Sequence, residues 1–309
     1  MDALLLNLGI FVVSLGVLLK ASDWFIDAAE RIGLSLGVPQ FIIGVTIVSV
    51  GTSLPELATS IASIYIGKSE IVVGNVVGSN ITNIALVLGL TAVYSKQISL
   101  DGKMWNGDLP FLFATAFLLY FVLLDLNFTL FEAILFLFGN VLFLAYSFSS
   151  GDEEEVIRPP LQAAVFLKLI AGGALVYFGA SYTIHAISEL SDIAGIDPDV
   201  IALTAVALGT SLPEVIVSLN AARKGKTSIA VGNVLGSNVF NTFAVMGVPR
   251  LFGPLVIPES VLNFSLPLMM VMTVLFGIMC VSSRITRWEG LVMLMFYAFF
   301  IVELFQNQM

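Results

Sequence analysis

The chain has one cysteine and one histidine in 309 residues, and charged residues make up only 11% of it. With Cys280 alone no disulfide framework can form, and in its apolar stretch the thiol reads as a small packing residue. His185, near the outer end of a predicted span, reads as an interfacial polar residue rather than a proton relay. Basic residues number 13 against 22 acidic ones, a formal net charge of −9. No basic arm is present, so nucleic acid is not expected as a partner, because phosphate binding needs clustered Lys and Arg. So little charge also excludes an ordinary soluble domain.

What fills the chain instead is apolar: hydrophobic residues are 58% of the sequence and mean hydropathy is +1.00. Long apolar runs such as Ala3–Leu19, Phe111–Leu124, Ala163–Phe178 and Phe264–Val281 approach the ~20 residues that cross ~30 Å of hydrocarbon. The first run lacks a basic n-region and a small-residue cleavage site and continues into Lys20, Asp23 and Trp24. It therefore reads as a mature span rather than a secretory signal. Cutting at polar and Gly/Pro clusters predicts about ten spans, at 3–26, 40–66, 70–94, 109–125, 128–148, 162–188, 199–222, 227–247, 258–281 and 288–305. The fold class is all-α integral membrane, and the lipid bilayer is the first partner. The acidic, proline-ended segment 151–160 divides 1–150 from 161–309 and reads as a solvated hinge, with calcium sensing as the alternative.

The two halves repeat each other. Gly51-Thr52-Ser53-Leu54-Pro55-Glu56 recurs as Gly209-Thr210-Ser211-Leu212-Pro213-Glu214. Val73-Gly74-Asn75-Val76-Val77-Gly78-Ser79-Asn80 recurs as Val231-Gly232-Asn233-Val234-Leu235-Gly236-Ser237-Asn238. Both pairs are offset by 158 residues with no gap between them, so the motif regions 41–83 and 199–241 are copies. Short cytoplasmic loops collect Lys and Arg. Arg31, Lys96, Lys103, Arg158, Lys168, Arg223, Lys224, Lys226, Arg284 and Arg287 fall on one side, against Lys68 and Arg250 on the other. Both termini are thus expected outside the cytoplasm. Five spans per copy, an odd number, invert the second copy relative to the first, an architecture recurrent in secondary transporters with a midplane site.

Glu56 and Glu214 are the acidic residues that recur deep within predicted spans. A charge at the centre of a membrane helix costs about 2.5–3.5 kcal/mol even on the lenient scale, so each needs a compensating partner. Helical spacing puts Ser49, Thr52, Ser53 and Glu56 on one face, matched by Thr210, Ser211 and Glu214. Ala207 stands in the place of Ser49, so only its backbone carbonyl is available. Pro55 and Pro213 lack an N–H and free backbone carbonyls one turn earlier. Asn75, Ser79 and Asn83 share a face by i, i+4 spacing, as do Asn233, Ser237 and Asn241. Gly74 with Gly78, and Gly232 with Gly236, form G-x-x-x-G ridges that let helices approach closely. The resulting set of carboxylate, hydroxyl, amide and carbonyl oxygens suits hard cations such as Ca²⁺ and Na⁺ rather than Zn²⁺ or Cu. Two carboxylates neutralise one Ca²⁺ or two Na⁺, so the two loads compete for one cage.

These motifs resemble the two α-repeats of the sodium/calcium exchangers of the cation/calcium antiporter superfamily, and the likeness extends over nearly the whole chain. The resemblance implies calcium exchange against several sodium ions by alternating access, with the first and sixth helices sliding across a fixed core, and neither cofactor nor enzymatic activity. It implies ion ligation by Glu56, Glu214, Thr52, Ser53, Thr210, Ser211, Ser79, Ser237 and Asn83, with the backbone of Ser49 and Ala207. Potassium-dependent members carry an acidic residue where Asn241 stands, which argues against potassium co-transport; Asn241 is kept as a candidate ligand. The proton/calcium branch has a glutamate within GN-x-x-E, where this chain has Gly78-Ser79 and Gly236-Ser237, so sodium is the better counter-ion. One chain supplies both half-sites, so a functional monomer is expected. The alternatives are a proton- or potassium-coupled calcium antiporter, a cation channel, and an intramembrane hydrolase using Ser53 or Ser211.

Overall fold

A computed structural model of the chain describes residues 2–100, 107–149, 159–193 and 210–306. Most of the segment 151–160, Lys103, Trp105 and Ala207 lie outside them. The main helices in chain order are α1 (Asp2–Ser35), α2 (Gln40–Tyr65), α3 (Glu70–Ser95), α4 (Asp108–Leu123), α5 (Leu130–Ser149), α6 (Ala163–Ile193), α7 (Leu212–Arg223), α8 (Thr227–Arg250), α9 (Val261–Cys280) and α10 (Arg287–Gln306). Seven stretches are long and apolar enough to cross a membrane, and α4 is a shorter apolar helix. Among the described residues the departure from an all-α fold is one short ribbon. Gln97–Ser99 (β1) and Arg284–Thr286 (β2) pair antiparallel, with Ile98 opposite Ile285. The loops after α3 and α9 run side by side there and satisfy each other's backbone groups.

Hydrophobic side chains face outward along α1, α5 and α6, for example Leu5, Val13, Phe131, Val141, Leu167 and Ile170. That is the surface expected of helices solvated by lipid, where no hydrophobic force drives apolar groups inward. At the centre lies α8, whose most apolar stretch is wholly buried. It packs on α2 and α7 at backbone distance. A Cβ built on Gly232 would lie 2.4 Å from the Phe41 carbonyl oxygen, and one on Gly236 2.1 Å from that of Val45. From the other side, a Cβ on Gly44 would lie 2.4 Å from the Ile229 oxygen.

Among the described residues, α1 packs along α6 more extensively than any other two helices pack together. Glycines of α6 permit it: a Cβ on Gly179 would come within 3.0 Å of the Leu18 Cα. α1 runs to Ser35, nine residues past the predicted end of its span. Its last turns carry Asp23, Asp27 and Glu30, which meet the basic connector between α7 and α8. Asp23 pairs with Arg223 (3.5 Å) and Lys224 (3.1 Å), Asp27 with Lys224 (2.8 Å) and Lys226 (3.1 Å), and Glu30 with Lys226 (2.6 Å). Lys20, three residues before Asp23, is exposed, and Asp23 takes the cations that end and follow α7, two hundred residues away. Burial works against the Lys226 ammonium, but hydrogen bonds and charge from Glu30 and Asp27 outweigh it and raise its pKa above the ordinary lysine value.

Asp125, which is exposed, and the half-buried Glu132 shape the turn between α4 and α5. Asp125 accepts from the Asn127 N–H at 3.0 Å, and Glu132 accepts from the Thr129 N–H and hydroxyl at 2.6 and 2.8 Å. This Thr-x-x-Glu box opens α5, and Thr286 with Glu289 repeats it at the start of α10.

Candidate cation site

The two proline-bearing motifs start a helix at corresponding points, Leu54 and Leu212. In α2 the helix stops at Ser53, whose φ and ψ of −90° and 4° lie outside the helical basin, and restarts as Leu54–Tyr65. Ser211 has nearly the same angles, −87° and 2°, just before α7. Pro55 and Pro213 sit in the first turn of each new helix, where a missing N–H costs nothing. Glu56 and Glu214 fall in those same first turns, where the positive end of the helix dipole favours a carboxylate. Both are 0% exposed.

Side chains cross between the two helix starts. The Ser53 hydroxyl donates to Glu214 Oε1 at 3.1 Å. Thr52 donates to Asn233 Oδ1 at 3.1 Å, and its counterpart Thr210 donates to Asn75 Oδ1 at 3.2 Å. Ser79 Oγ lies 3.4 Å from the Thr210 hydroxyl. The Ser49 hydroxyl turns back to the Val45 carbonyl, and the Ser49 carbonyl accepts from the Ser53 N–H at 3.0 Å.

Each second helix then changes pitch beside the carboxylates. A π turn begins at Asn83 in α3 and another at Asn241 in α8, again 158 residues apart. Wider turns of this kind gather at functional sites. Around this centre, polar atoms are buried without hydrogen-bond partners among the described residues: both oxygens of Glu56, Oε2 of Glu214, the hydroxyls of Ser211 and Ser237, and the amides of Asn83 and Asn241. Leaving such a group unsatisfied costs about 1–3 kcal/mol, and more when it is charged. A folded chain holds so many together only where something else supplies their partner.

Hydrogen bonds and close contacts tie Thr52, Ser53, Ser79, Thr210 and Glu214 across the two halves, with Ser49 contributing a nearby carbonyl; Glu56, Ser211, Ser237, Asn83 and Asn241 are buried, with side-chain atoms that have no partner among the described residues. Ala207 lies outside the described residues. Sequence reasoning put Asn75 and Asn233 on the right faces but left them out of the site. It missed Ser60 and Ser218, which accept from those amides at 3.0 Å each. Their signal was available, since they too are 158 residues apart. The hydrolase alternative loses its base: Ser53 is engaged by a carboxylate, and His185 is exposed on α6. A cavity of about 730 Å³ lies between α2, α5 and α6 and is lined by apolar groups such as Ile47, Leu54, Phe148 and Ile170. It offers no cage for an ion.

A multi-helix membrane protein with a buried glutamate in the first turn of each of two proline-started helices is the class that this fold and this geometry define. The chain belongs to the sodium/calcium exchanger protein family, whose model matches residues 6–149 and again 164–306. It is 34% identical to the sodium/calcium exchanger MaX1 of Methanosarcina acetivorans, over 97% of this chain and 98% of the relative. It is 30% identical to the inner membrane protein YrbG of Escherichia coli, over 90% and 89% of the two chains. A structure of the sodium-calcium exchanger NCX_Mj, soaked with 100 mM Na⁺ and 10 mM Sr²⁺, superposes with a TM-score of 0.86 at 31% identity. It covers 97% of this chain and 98% of that one.

Proposed function

We propose that this protein is a secondary active antiporter that exchanges calcium for sodium across the membrane by alternating access. The observation that carries this reading is the group of unpartnered buried polar atoms around Glu56 and Glu214, drawn from both halves of the chain and all oxygen or amide in character. Glu56, Glu214, Thr52, Ser53, Thr210, Ser211, Ser79, Ser237, Asn83 and Asn241 hold the ions, with the carbonyls of Ser49 and Ala207. Two carboxylates balance either one Ca²⁺ or two Na⁺, so binding of one load displaces the other.

In this reading the chain is ten spans in two inverted five-helix units, 1–150 and 161–309, joined by a hinge at 151–160. Two features support it: the family model matches twice with starts 158 residues apart, and the Thr–Asn contacts are exchanged between the halves. The α1–α6 pair is the moving part. It is tightly packed on itself, and it faces the broken α2 across the apolar crevice that includes Gly173 and Tyr177. Both half-sites come from one chain, so a monomer is the functional unit. Both termini lie outside the cytoplasm. A protease-cleavable tag at either end of the chain is expected to be removed by protease added outside intact spheroplasts; protection of both tags overturns that orientation.

Calcium uptake into proteoliposomes loaded with sodium, potassium or choline at fixed pH tests the function. Uptake is expected with sodium inside, and only background with potassium or choline. Equal uptake with choline inside and no proton gradient overturns sodium exchange, and uptake driven by potassium overturns the role given to Asn241.

A further inference from the structure

Four residues behind the cage form two matching relays. Asn75 Nδ2 donates to the Ser60 hydroxyl at 3.0 Å and to the Glu56 carbonyl oxygen at 3.1 Å, while its Oδ1 accepts from Thr210. Asn233 Nδ2 donates to the Ser218 hydroxyl at 3.0 Å, while its Oδ1 accepts from Thr52. Asn75, Asn233, Ser60 and Ser218 are all buried. Each relay starts in one half of the chain and ends on the other half's threonine, with every member displaced by 158 residues from its counterpart.

We infer that Asn75 and Asn233 are positioning residues that set the polarity of the threonine hydroxyls at the cation site. This deepens the proposed site and rests on it. A hydroxyl has one proton and two lone pairs, whereas an amide has a donor end and an acceptor end. At ordinary resolution, which end faces a partner is decided by the network around it. Here the network decides: both N–H bonds of Asn75 are engaged by Ser60 and Glu56, so its oxygen has to face Thr210. Thr210 must then give its single proton to the amide and turn its lone pairs toward the carboxylates, the orientation a cation needs. A reversed amide would force the hydroxyl to accept and to aim its proton at the ion. Asn75 Oδ1 lies 3.5 Å from Ser79 Oγ, at the limit of a hydrogen bond, so Thr210 at 3.2 Å is the hydroxyl it orients. Asn233 does the same for Thr52, which has a second acceptor in the Ser49 carbonyl at 3.3 Å. The Asn75 arm is the one tested, because both of its N–H bonds have described acceptors.

The experiment is a double-variant cycle on sodium-driven calcium uptake by the full-length protein in proteoliposomes. Asn75→Leu removes the acceptor at similar volume and is expected to raise the calcium KM about tenfold with maximal rate unchanged, the size of one buried hydrogen bond. In a Thr210→Ala background, which has no hydroxyl to orient, the same substitution is expected to raise KM no further. Ser60→Ala, a milder change that releases one tether of the amide, should shift KM in the same direction and likewise lose its effect in that background. Multiplying KM effects in either double variant, or an unchanged KM in Asn75→Leu, overturns the inference. Should Asn75→Leu fail to accumulate, the Ser60→Ala pair decides alone. Failure of the exchange reading itself is recognised separately, because the unsubstituted protein would then show no sodium-driven uptake.

Discussion

Glu214→Gln, and independently Glu56→Gln, are expected to abolish sodium-driven calcium uptake while leaving the protein folded. Glutamine keeps the shape of the side chain and an oxygen to accept the Ser53 hydroxyl, so what changes is charge. Two unit charges 4 Å apart interact by about 4 kcal/mol at the effective dielectric of a protein site, and a divalent ion at ligand contact by more. One lost carboxylate therefore lowers calcium affinity by on the order of a thousandfold or more. Stability should move the other way. A buried carboxylate without a compensating ion is a cost to the fold, so thermal unfolding in detergent without calcium or sodium is expected at the same or a higher temperature in the variants. Uptake at the unsubstituted rate by both variants would sink the assignment. The two sites are not interchangeable in detail: Glu214 receives Ser53, whereas both Glu56 oxygens and the Ser211 hydroxyl that corresponds to Ser53 have no partner. Glu56→Gln removes a buried charge without a described hydrogen-bond partner, and its stabilising effect should be the larger.

The site was legible in the sequence because the chain states it twice. A glutamate in an apolar run is ambiguous once; the same glutamate after the same Gly-Thr-Ser-Leu-Pro, 158 residues later, is not. Proline made the helix break at Ser53 and the helix start after Ser211 readable, since its missing N–H has a local consequence whatever the surroundings. Other features have no local cause. The π turns at Asn83 and Asn241 add one residue to a turn within continuous apolar sequence, and hydrophobic periodicity in a fully buried helix cannot register that change. The pairing of Asp23 with Arg223 and Lys224 has no local signature either, since nothing in the sequence around Asp23 announces a basic loop two hundred residues away. The extension of α1 to Ser35 has the same origin: its polar last turns are held by that loop rather than by hydrocarbon. Ser60 and Ser218 were passed over as isolated serines, although applying the repeat offset to every polar residue, rather than to the motifs alone, would have picked them out.

Gly236→Ala is expected to be as damaging as loss of a carboxylate, by a different route. Gly236 and Gly232 face α2 directly, and a Cβ at position 236 would sit 2.1 Å from the Val45 carbonyl oxygen and 2.6 Å from the Ser49 hydroxyl. The obstructing atom at the shorter distance is backbone, which cannot rotate away, so the two helices must separate by more than an ångström. In a close-packed interior that costs about 1–3 kcal/mol and sometimes more. The displaced segment is the one that carries Ser49, Thr52 and Ser53 to the cage, so geometry suffers along with stability. Oriented ligands lose function with misplacements of about 1 Å. Calcium uptake should therefore fall at least tenfold even in the fraction that folds, as measured by uptake normalised to the monodisperse protein recovered by size exclusion. Gly9→Ala supplies the control, because a Cβ there meets nothing within 4 Å, and removing a glycine from the interior of α1 stabilises the helix by roughly 1 kcal/mol. If Gly236→Ala transports as well as Gly9→Ala, α8 does not press against the broken helix in the working protein, and the cage is not held together by that contact.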